Sequence, residues 1–253
     1  MMTDKTICKK ASSLALVFAL KSEAKNFINF FNKNGLIKKT LFKSSRTELV
    51  EWVAKKPFKF CNRKISKLYT FICGVGKVNA AIAISQLVFE HQVNWLLNIG
   101  VVGITNHKIP LLTPLLVDKA CYHDFDLTPF NYAYGQVPGM KDFFKSSRAL
   151  NEIIINEFKK NKKSYCLANL ASGDKFVSKN ESKPLESLNI KPDAIDMEIA
   201  SILHMASLYN IHVSSIKFGS DYINKTDNKN QYEQSLKAYP SVIDEIINLL
   251  FSN

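Results

Sequence analysis

Arginine is scarce in this chain: only positions 46, 63 and 148 carry it, and the rest of the 34 basic residues are lysines. The formal net charge of +12 would by itself suggest an acidic partner such as a nucleic acid. Arginine, however, is the usual side chain for bidentate recognition of phosphates and bases. The lysines are scattered along the chain, without a basic stripe interleaved with aromatic residues. We therefore expect no nucleic-acid partner.

Paired cysteines and long apolar runs are also missing. The five cysteines form neither a CxxC pair nor a zinc-like spacing, which is typical of a reducing compartment and predicts a cytoplasmic protein. No stretch approaches the roughly 18 apolar residues of a membrane span, so we expect no membrane partner. The run from Leu14 to Leu20 follows two lysines, but it is short and no small-x-small cleavage site follows it. It predicts a first buried strand.

The composition is nevertheless that of a folded chain. Hydrophobic residues make up 46% of 253 positions, enough for a continuous core. Short apolar runs rich in β-branched residues alternate with segments of helical periodicity, which predicts an α/β fold. Residues 241–251 predict a closing amphipathic helix. No linker or internal repeat divides the chain. We therefore expect a single domain over residues 1–253, with 1–12 as a loose N-terminal extension.

Residues 194–221 predict a helix followed by a buried strand. Asp196 is expected as the helix N-cap and Glu198 in the first turn. One apolar helix face is formed by residues at i, i+3, i+4 and i+7, namely Ile199, Ile202, Leu203 and Ala206. The strand ends at Asp221, and ligands of open α/β sheets lie beyond the carboxyl ends of strands. Glu198 and Asp221 could therefore face one pocket, although ordinary cap and turn roles explain the same two acids.

Two further patterns invite a cofactor interpretation and fail. The segment Gly74–Lys77 lacks the first glycine of a phosphate loop, because Phe71 stands there, and Val78 replaces the required hydroxyl residue. The same segment lacks the third glycine of a dinucleotide-binding fingerprint. No nucleophile elbow or catalytic triad spacing occurs either. We expect no cofactor.

The acids near position 123 raise the question of a metal. His123, Asp124 and Asp126 are close in sequence, but loop acids beside one histidine are more often turn formers than ligands. The sequence therefore predicts no metal site.

A series of short motifs carries a more specific signal. They are Glu23 after the first strand, Gly74–Ala81, Asn98–Gly103, Tyr122–Phe130 with Tyr132–Gly139, Ser172–Val177, Asp196–Glu198, and Ser220–Asp221. In their shared order and spacing, they resemble the 5′-methylthioadenosine/S-adenosylhomocysteine nucleosidases of the nucleoside phosphorylase superfamily. The resemblance runs from about residue 14 to 250.

This resemblance implies a fold, an activity and an assembly. The fold would be a single-domain three-layer sandwich, with a central mixed, partly barrel-like sheet flanked by helices. The activity would be hydrolysis of the N-glycosidic bond of methylthioadenosine and S-adenosylhomocysteine, with 5′-deoxyadenosine as a further candidate. Adenine would be released, in methionine salvage and the recycling of S-adenosylmethionine by-products. The substrate would be a small nucleoside, and the protein would be a homodimer.

The resemblance also assigns roles to residues. Asp221 would protonate adenine N7, which at neutral pH requires a buried acid. Glu23 would hold the attacking water, and Glu198 would accept hydrogen bonds from the ribose hydroxyls and favour a cationic sugar. The other expected substrate contacts are Met197 at the ribose, Ser220 beside the acid, Phe176 and Val177 at adenine, Val101 after the glycine, and Phe130, Tyr132 and Pro138 in a 5′-alkylthio pocket shared with the neighbouring subunit.

Some positions depart from the family pattern, and alternatives stay open. The departures are Phe18, Leu20, Val101, Asp196 and Lys217, where Asp196 replaces a common Glu and Lys217 a common Arg. Because of these departures, the sequence does not determine which 5′ substituent is preferred or how fast the enzyme turns over. Glu23 would repel phosphate, Val101 offers no hydroxyl, and we expect no arginine near the first strand, all of which favour water as nucleophile. A purine nucleoside phosphorylase, a futalosine-type hydrolase and a non-catalytic nucleoside-binding protein are the alternatives.

Overall fold

The computed structural model describes residues 13–55, 58–177, 183–223 and 225–252. The predicted N-terminal extension, residues 1–12, lies outside the described residues. Within them, the helices are α1 (Lys21–Lys33), α2 (Lys77–Phe89), α3 (Arg148–Lys160), α4 (Ile199–Tyr209) and α5 (Asn228–Leu250), with short 3-10 turns at Thr128–Phe130 and Lys183–Ser187. No described helix has both the length and the apolar character that crossing a membrane requires.

Strands alternate with these helices along the chain. They are β1 (Ser13–Phe18), β2 (Ile37–Lys43), β3 (Glu48–Val53), β4 (Phe58–Phe60), β5 (Arg63–Ile65), β6 (Lys67–Ile72), β7 (Trp95–Ile104), β8 (Pro114–Tyr122), β9 (Phe144–Lys145), β10 (Cys166–Ser172), β11 (Ala194–Asp196), β12 (His212–Tyr222) and β13 (Phe251–Ser252).

The main sheet is mixed and partly closed. Its strand order is β11-β10-β8-β12-β7-β1-β6-β3-β2, with β9 added to β8, while β13, β4 and β5 form a small separate sheet. Strand β1 pairs in parallel with β6 and β7, whereas β12 pairs in parallel with β7 and antiparallel with β8. Strand β11 also pairs with β7, so five strands close into a ring. The expected mixed, partly barrel-like sheet is confirmed.

Alternation along β1 separates two cores, because successive side chains of a strand point to opposite faces. Leu14, Leu16 and Phe18 pack with apolar residues of α1, α3 and α5. Ala15 and Val17 pack with residues of α2 and α4 on the other face. Helices therefore cover the sheet on both sides, as the expected three-layer sandwich requires.

Three predicted element boundaries were wrong. Asp196 is the last residue of β11 and Glu198 is the N-cap of α4, because Asp196 pairs with Ser172 in the β10–β11 ladder. The closing helix was expected over residues 241–251, but α5 starts at Asn228 and continues through Pro240. Strand β1 ends at Phe18 and not at residue 20.

Candidate active site

Four buried acids line one cavity at the carboxyl ends of the central strands; one of them, Asp196, belongs to an ion pair described below, and the other three are the expected catalytic acids. Glu23 is the third residue of α1, Glu198 is the N-cap of α4, and Asp221 lies near the end of β12. Their exposed fractions are 3%, 6% and 2%. They share a cavity of about 240 Å³, which we call the acid cavity. The prediction that Glu198 and Asp221 face one pocket is confirmed.

The carboxylate of Glu23 is held by backbone amides on both oxygens. Leu20 N donates to Oε2 at 2.9 Å and Val101 N donates to Oε1 at 3.1 Å. Burial raises the pKa of Glu23, and the positive charge of Lys217 and the backbone hydrogen bonds oppose this shift. Gly100 is required beside it, because a Cβ at that position would lie 2.6 Å from Glu23 Oε1.

Glu198 is bound to the loop between β6 and α2. Gly76 N donates to Glu198 Oε1 at 2.9 Å. Gly76 adopts a φ of +102°, which side chains other than glycine rarely tolerate. Burial, reinforced by the charge of Asp196, raises the pKa of Glu198 to about 7, although Lys217 acts in the opposite direction. This acid therefore titrates near neutral pH.

A buried ion pair lies behind these acids. Lys217 Nζ is 2.9 Å from Asp196 Oδ2, and the two side chains are 2% and 1% exposed. Ser172 Oγ donates to the other oxygen of Asp196. Burial alone would lower the pKa of Lys217, but the negative charges of Asp196, Glu198 and Glu23 outweigh it and raise that pKa. The sequence analysis identified Asp196 and Lys217 only as departures from the family pattern.

Asp221 and Ser220 reach the acid cavity together because of a bulge. The β12–β7 register shifts between Gly219 and Asp221, so Ser220 is the extra residue. Side chains of adjacent residues in a regular strand point to opposite faces, and a bulge redirects one of them. Ser220 Oγ donates to Asp221 Oδ1 at 2.7 Å and lies 3.1 Å from Val102 O. The hydroxyl therefore holds one oxygen of Asp221 in a fixed position, and its role toward a substrate stays a prediction.

The other predicted substrate residues fall into two groups. Four of them line the acid cavity, namely Val101, Phe176, Val177 and Met197. Phe130, Tyr132 and Pro138 are not among its lining residues, and Phe130 is 71% exposed on the turn after β8. Their role in a pocket shared with a neighbouring subunit stays a prediction.

Tyr232 is a lining residue that the sequence did not single out. It lies in the first turns of α5, whose start was placed too late, and its ring centroid is 6.3 Å from that of Phe176. Burial raises the pKa of Tyr232, and the nearby charges of Glu23, Asp221 and Glu198 raise it further. If the sequence had indicated the correct start of α5, Tyr232 could have been identified as a candidate site residue.

The loop acids near position 123 have structural partners. Lys77 Nζ lies 2.6 Å from Asp124 Oδ2, and Asp174 N donates to the same oxygen at 2.8 Å. Asp126 accepts hydrogen bonds from Thr128. Across the described ranges, no group of three or more His, Cys, Asp or Glu side chains is arranged to hold a metal ion.

A second cavity, of about 680 Å³, adjoins the acid cavity and shares Ala19, Leu20 and Val75 with it. Lys21 and Arg46 line it, and we call it the cationic cavity. The expectation that no arginine lies near the first strand was wrong. The β2–β3 connection places Arg46 beside the start of α1, where Lys21 Nζ donates to Ser45 O at 3.3 Å.

Known proteins resemble this chain in sequence over most of its length. The phosphorylase superfamily profile matches residues 14–250. A 5′-methylthioadenosine/S-adenosylhomocysteine nucleosidase of Buchnera aphidicola is 31% identical over 192 residues, covering 71% of this chain and 76% of that protein. A Staphylococcus aureus protein of the same name is 28% identical and covers 79% of this chain and 86% of its own length.

Solved structures share the fold. Futalosine hydrolase of Helicobacter pylori superposes with a TM-score of 0.80 at 19% identity, covering 94% of this chain and 97% of that one. A nucleosidase of the same organism, with 5′-methylthioadenosine in its active site, gives 0.82 at 18% identity over the same shares. The chain belongs to the phosphorylase superfamily and, within it, to the 5′-methylthioadenosine/S-adenosylhomocysteine nucleosidase family.

Proposed function

We propose that the protein hydrolyses the N-glycosidic bond of 5′-methylthioadenosine and S-adenosylhomocysteine and releases adenine. The observation that carries this proposal is the acid cavity, where Glu23, Glu198 and Asp221 are all buried and each is held by different groups. The names of the sequence relatives support it.

Asp221 would act at the leaving group. Cleavage of the bond between C1′ and N9 leaves electrons on the purine, and a proton delivered to N7 neutralises them. Asp221 is 2% exposed, and Ser220 Oγ holds one of its oxygens at 2.7 Å. A buried, oriented carboxylic acid is suited to donate this proton in the transition state.

Glu23 would act at the nucleophile. Departure of adenine leaves an oxocarbenium-like sugar, which water attacks at C1′ while its proton passes to the carboxylate. The Leu20 and Val101 amides fix both oxygens of Glu23 at 2.9 and 3.1 Å, so a bound water would have a defined position. The products are adenine and the free 5-substituted ribose.

Glu198 would bind the sugar between these two groups. Its Oε1 accepts the Gly76 amide, and its other oxygen can accept hydrogen bonds from the ribose hydroxyls. In ionised form it would also stabilise the positive charge that develops on the sugar. Met197 would pack on the ribose, and Phe176 would stack on adenine.

We further propose that the active form is a homodimer. The exposed ring of Phe130, with Tyr132 and Pro138, would complete the 5′-alkylthio pocket of a neighbouring subunit. The four described cysteines are free thiols, which fits a reducing cytoplasm, and the products fit a place in methionine salvage.

The test is adenine release from 5′-methylthioadenosine, with and without added phosphate. We expect adenine and free methylthioribose in both buffers, and release slower by about 10²-fold or more in the Asp221→Asn variant. Strict dependence on phosphate, with a ribose phosphate product, would assign the protein to the phosphorylases. Binding without release would instead indicate a nucleoside-binding protein.

A further inference from the structure

We propose that the cationic cavity binds a carboxylate carried on the 5′ substituent of the nucleoside, and that Lys21 and Arg46 recognise it. The inference rests on the function proposed above, because that function places a nucleoside in the adjoining acid cavity. It names the substrate class that the cationic cavity selects: nucleosides with an anionic group beyond the 5′ sulfur.

The two cavities meet at the sugar end of the acid cavity. Leu20 and Val75 line both of them. Leu20 N binds Glu23, and Val75 precedes Gly76, whose amide binds Glu198. Leu20 and Val75 therefore flank the groups proposed to hold the water and the ribose.

The base end of the acid cavity points elsewhere. Its residues, Phe176, Val177, Ser220 and Asp221, are not among those that line the cationic cavity. A nucleoside has C1′ occupied by the base, and its 2′ and 3′ hydroxyls would face Glu198. The 5′ carbon is the position left from which a substituent can extend past Leu20 and Val75.

The charge of the cationic cavity suits an anion. Lys21 and Arg46 are its charged lining residues, and no described acid lines it. Neither cation has a carboxylate within salt-bridge distance among residues 13–55, 58–177, 183–223 and 225–252. Guanidinium and ammonium groups are the usual partners of a carboxylate. Ser22 and Thr47 add hydroxyls to the same wall.

The two proposed substrates differ in their use of this space. The methylthio group is small and uncharged, so it would stay within the apolar 5′-alkylthio pocket beside Leu20 and Val75 and would not reach the two cations. The S-adenosylhomocysteine tail carries an α-carboxylate further out, and a cavity of about 680 Å³ has room for that tail. Loss of the cations should therefore affect one substrate and spare the other.

The experiment compares kcat/KM for three substrates: 5′-methylthioadenosine, S-adenosylhomocysteine, and its decarboxylated counterpart with a 3-aminopropylthio group. The variant is Lys21→Gln/Arg46→Gln, which removes both charges at similar side-chain length. Lys25→Gln is the matched control, because it removes one exposed charge from the same helix outside the cavity. Lys21→Arg/Arg46→Lys exchanges the two cations and should rescue activity.

We expect the double variant to lose about five- to tenfold in kcat/KM for S-adenosylhomocysteine, and less than about twofold for the other two substrates. The loss should shrink at high salt, because exposed charge pairs are screened. Equal losses on all three substrates, or no loss on any, would overturn the inference. An equal loss in the Lys25→Gln control would overturn it as well.

Failure of the proposed function would look different. In that case the wild-type protein would release no adenine from methylthioadenosine. Calorimetric binding would then decide the inference: tighter binding of S-adenosylhomocysteine than of its decarboxylated counterpart, abolished in the double variant, supports the cationic cavity. Equal binding of the two compounds by the wild-type protein refutes it.

Discussion

Lys217 Nζ lies 2.9 Å from Asp196 Oδ2 in the interior, where the two side chains are 2% and 1% exposed. This lysine is one buried cation facing three buried acids, since Glu23 and Glu198 also act on it electrostatically. One positive charge cannot balance three negative charges. Burial is the main cause that raises the pKa of Glu198 to about 7, and the negative charge of Asp196 reinforces it against the opposing charge of Lys217.

The first prediction concerns the pH profile of Lys217→Met. The positive charge of Lys217 lowers the pKa of Glu198 and Glu23, so its removal raises both. If ionised Glu198 is needed for activity, kcat/KM of the wild-type protein should rise with pH through about 7. In Lys217→Met this acidic limb should move up by about one to two pH units.

Two further variants separate charge from folding in that experiment. Lys217→Arg keeps the cation and should keep the acidic limb near the wild-type position. Lys217→Met alone leaves the charge of Asp196 buried without its cation, which lowers the stability of the fold. Lys217→Met/Asp196→Asn removes both charges and should bring the limb back toward wild type. An unmoved limb in Lys217→Met would show that the lysine does not control these acids.

The second prediction is that Glu198→Gln lowers the activity of the protein and raises its stability above neutral pH. The pKa of Glu198 rises from 4.5 to about 7 on folding, mainly through burial. The unfolded chain therefore binds fewer protons in this window, and stability is lost as pH rises from about 4.5 to about 7. Glutamine keeps an acceptor for Gly76 and removes this loss.

We expect Glu198→Gln to lower kcat/KM by about 10²- to 10³-fold. Its Tm should exceed the wild-type Tm at pH 8 and match it near pH 5, measured by scanning calorimetry. A lower Tm at pH 8, with normal activity per folded molecule, would mean that Glu198 has a structural role and no catalytic one.

The third prediction isolates the acid at the leaving group. Asp221→Asn removes the donated proton while keeping the shape and the hydrogen bond from Ser220. Adenine release should fall by about 10²- to 10⁴-fold with the Tm little changed. Ser220→Ala, which only frees the orientation of the acid, should cost less. Unchanged activity of Asp221→Asn would refute its role as the acid.

The alternation of strands and helices could be predicted because its signals are local: buried strands and amphipathic helices have clear periodicities. The mixed, partly barrel-like form of the sheet was an implication of the family resemblance and did not follow from these periodicities. Glu198 and Asp221 could be placed together because both lie at the ends of predicted elements. The rule that ligands lie beyond the carboxyl ends of strands was enough to predict that these two acids face one pocket.

The features that escaped prediction depend on distant segments. Arg46 is more than 25 positions from the end of β1, so no local pattern shows that the β2–β3 connection lies beside Lys21. Tyr232 was missed because the closing helix was expected to begin at residue 241, whereas α5 begins at Asn228. The bulge at Ser220 is set by pairing with β7 and has no signature within its own strand.

The fourth prediction tests the fit around Glu23. In Gly100→Ala the new Cβ would lie 2.6 Å from Glu23 Oε1, so the carboxylate must move off the Val101 amide. A displacement of about 1 Å at a catalytic group costs about 10²-fold in rate. We expect such a loss in kcat with a modest fall in Tm.

Gly35→Asn serves as the control for that substitution. It replaces a glycine at φ +75° where a Cβ would meet no other atom within 4 Å, and asparagine tolerates this conformation. Its activity should be normal. Normal kcat in Gly100→Ala would show that the position of Glu23 is not critical for the reaction.

The fifth prediction tests whether one subunit completes the pocket of another. Phe130 is 71% exposed and belongs to no wall of the acid cavity, so Phe130→Ala should leave folding intact. If its ring enters a neighbouring 5′-alkylthio pocket, KM for methylthioadenosine should rise by about tenfold, because a buried aromatic contact is lost. Asp221→Asn should be inactive for the separate reason given above.

Mixing these two variants distinguishes a shared pocket from an isolated one. A mixed dimer contains one site with Asp221 from the Phe130→Ala subunit and Phe130 from the Asp221→Asn subunit. Exchange of subunits should therefore restore low-KM activity in about half of the sites of each mixed dimer, measured by adenine release after co-refolding. If the mixture shows only the high KM of Phe130→Ala, each pocket is built from a single chain and the proposed sharing is wrong.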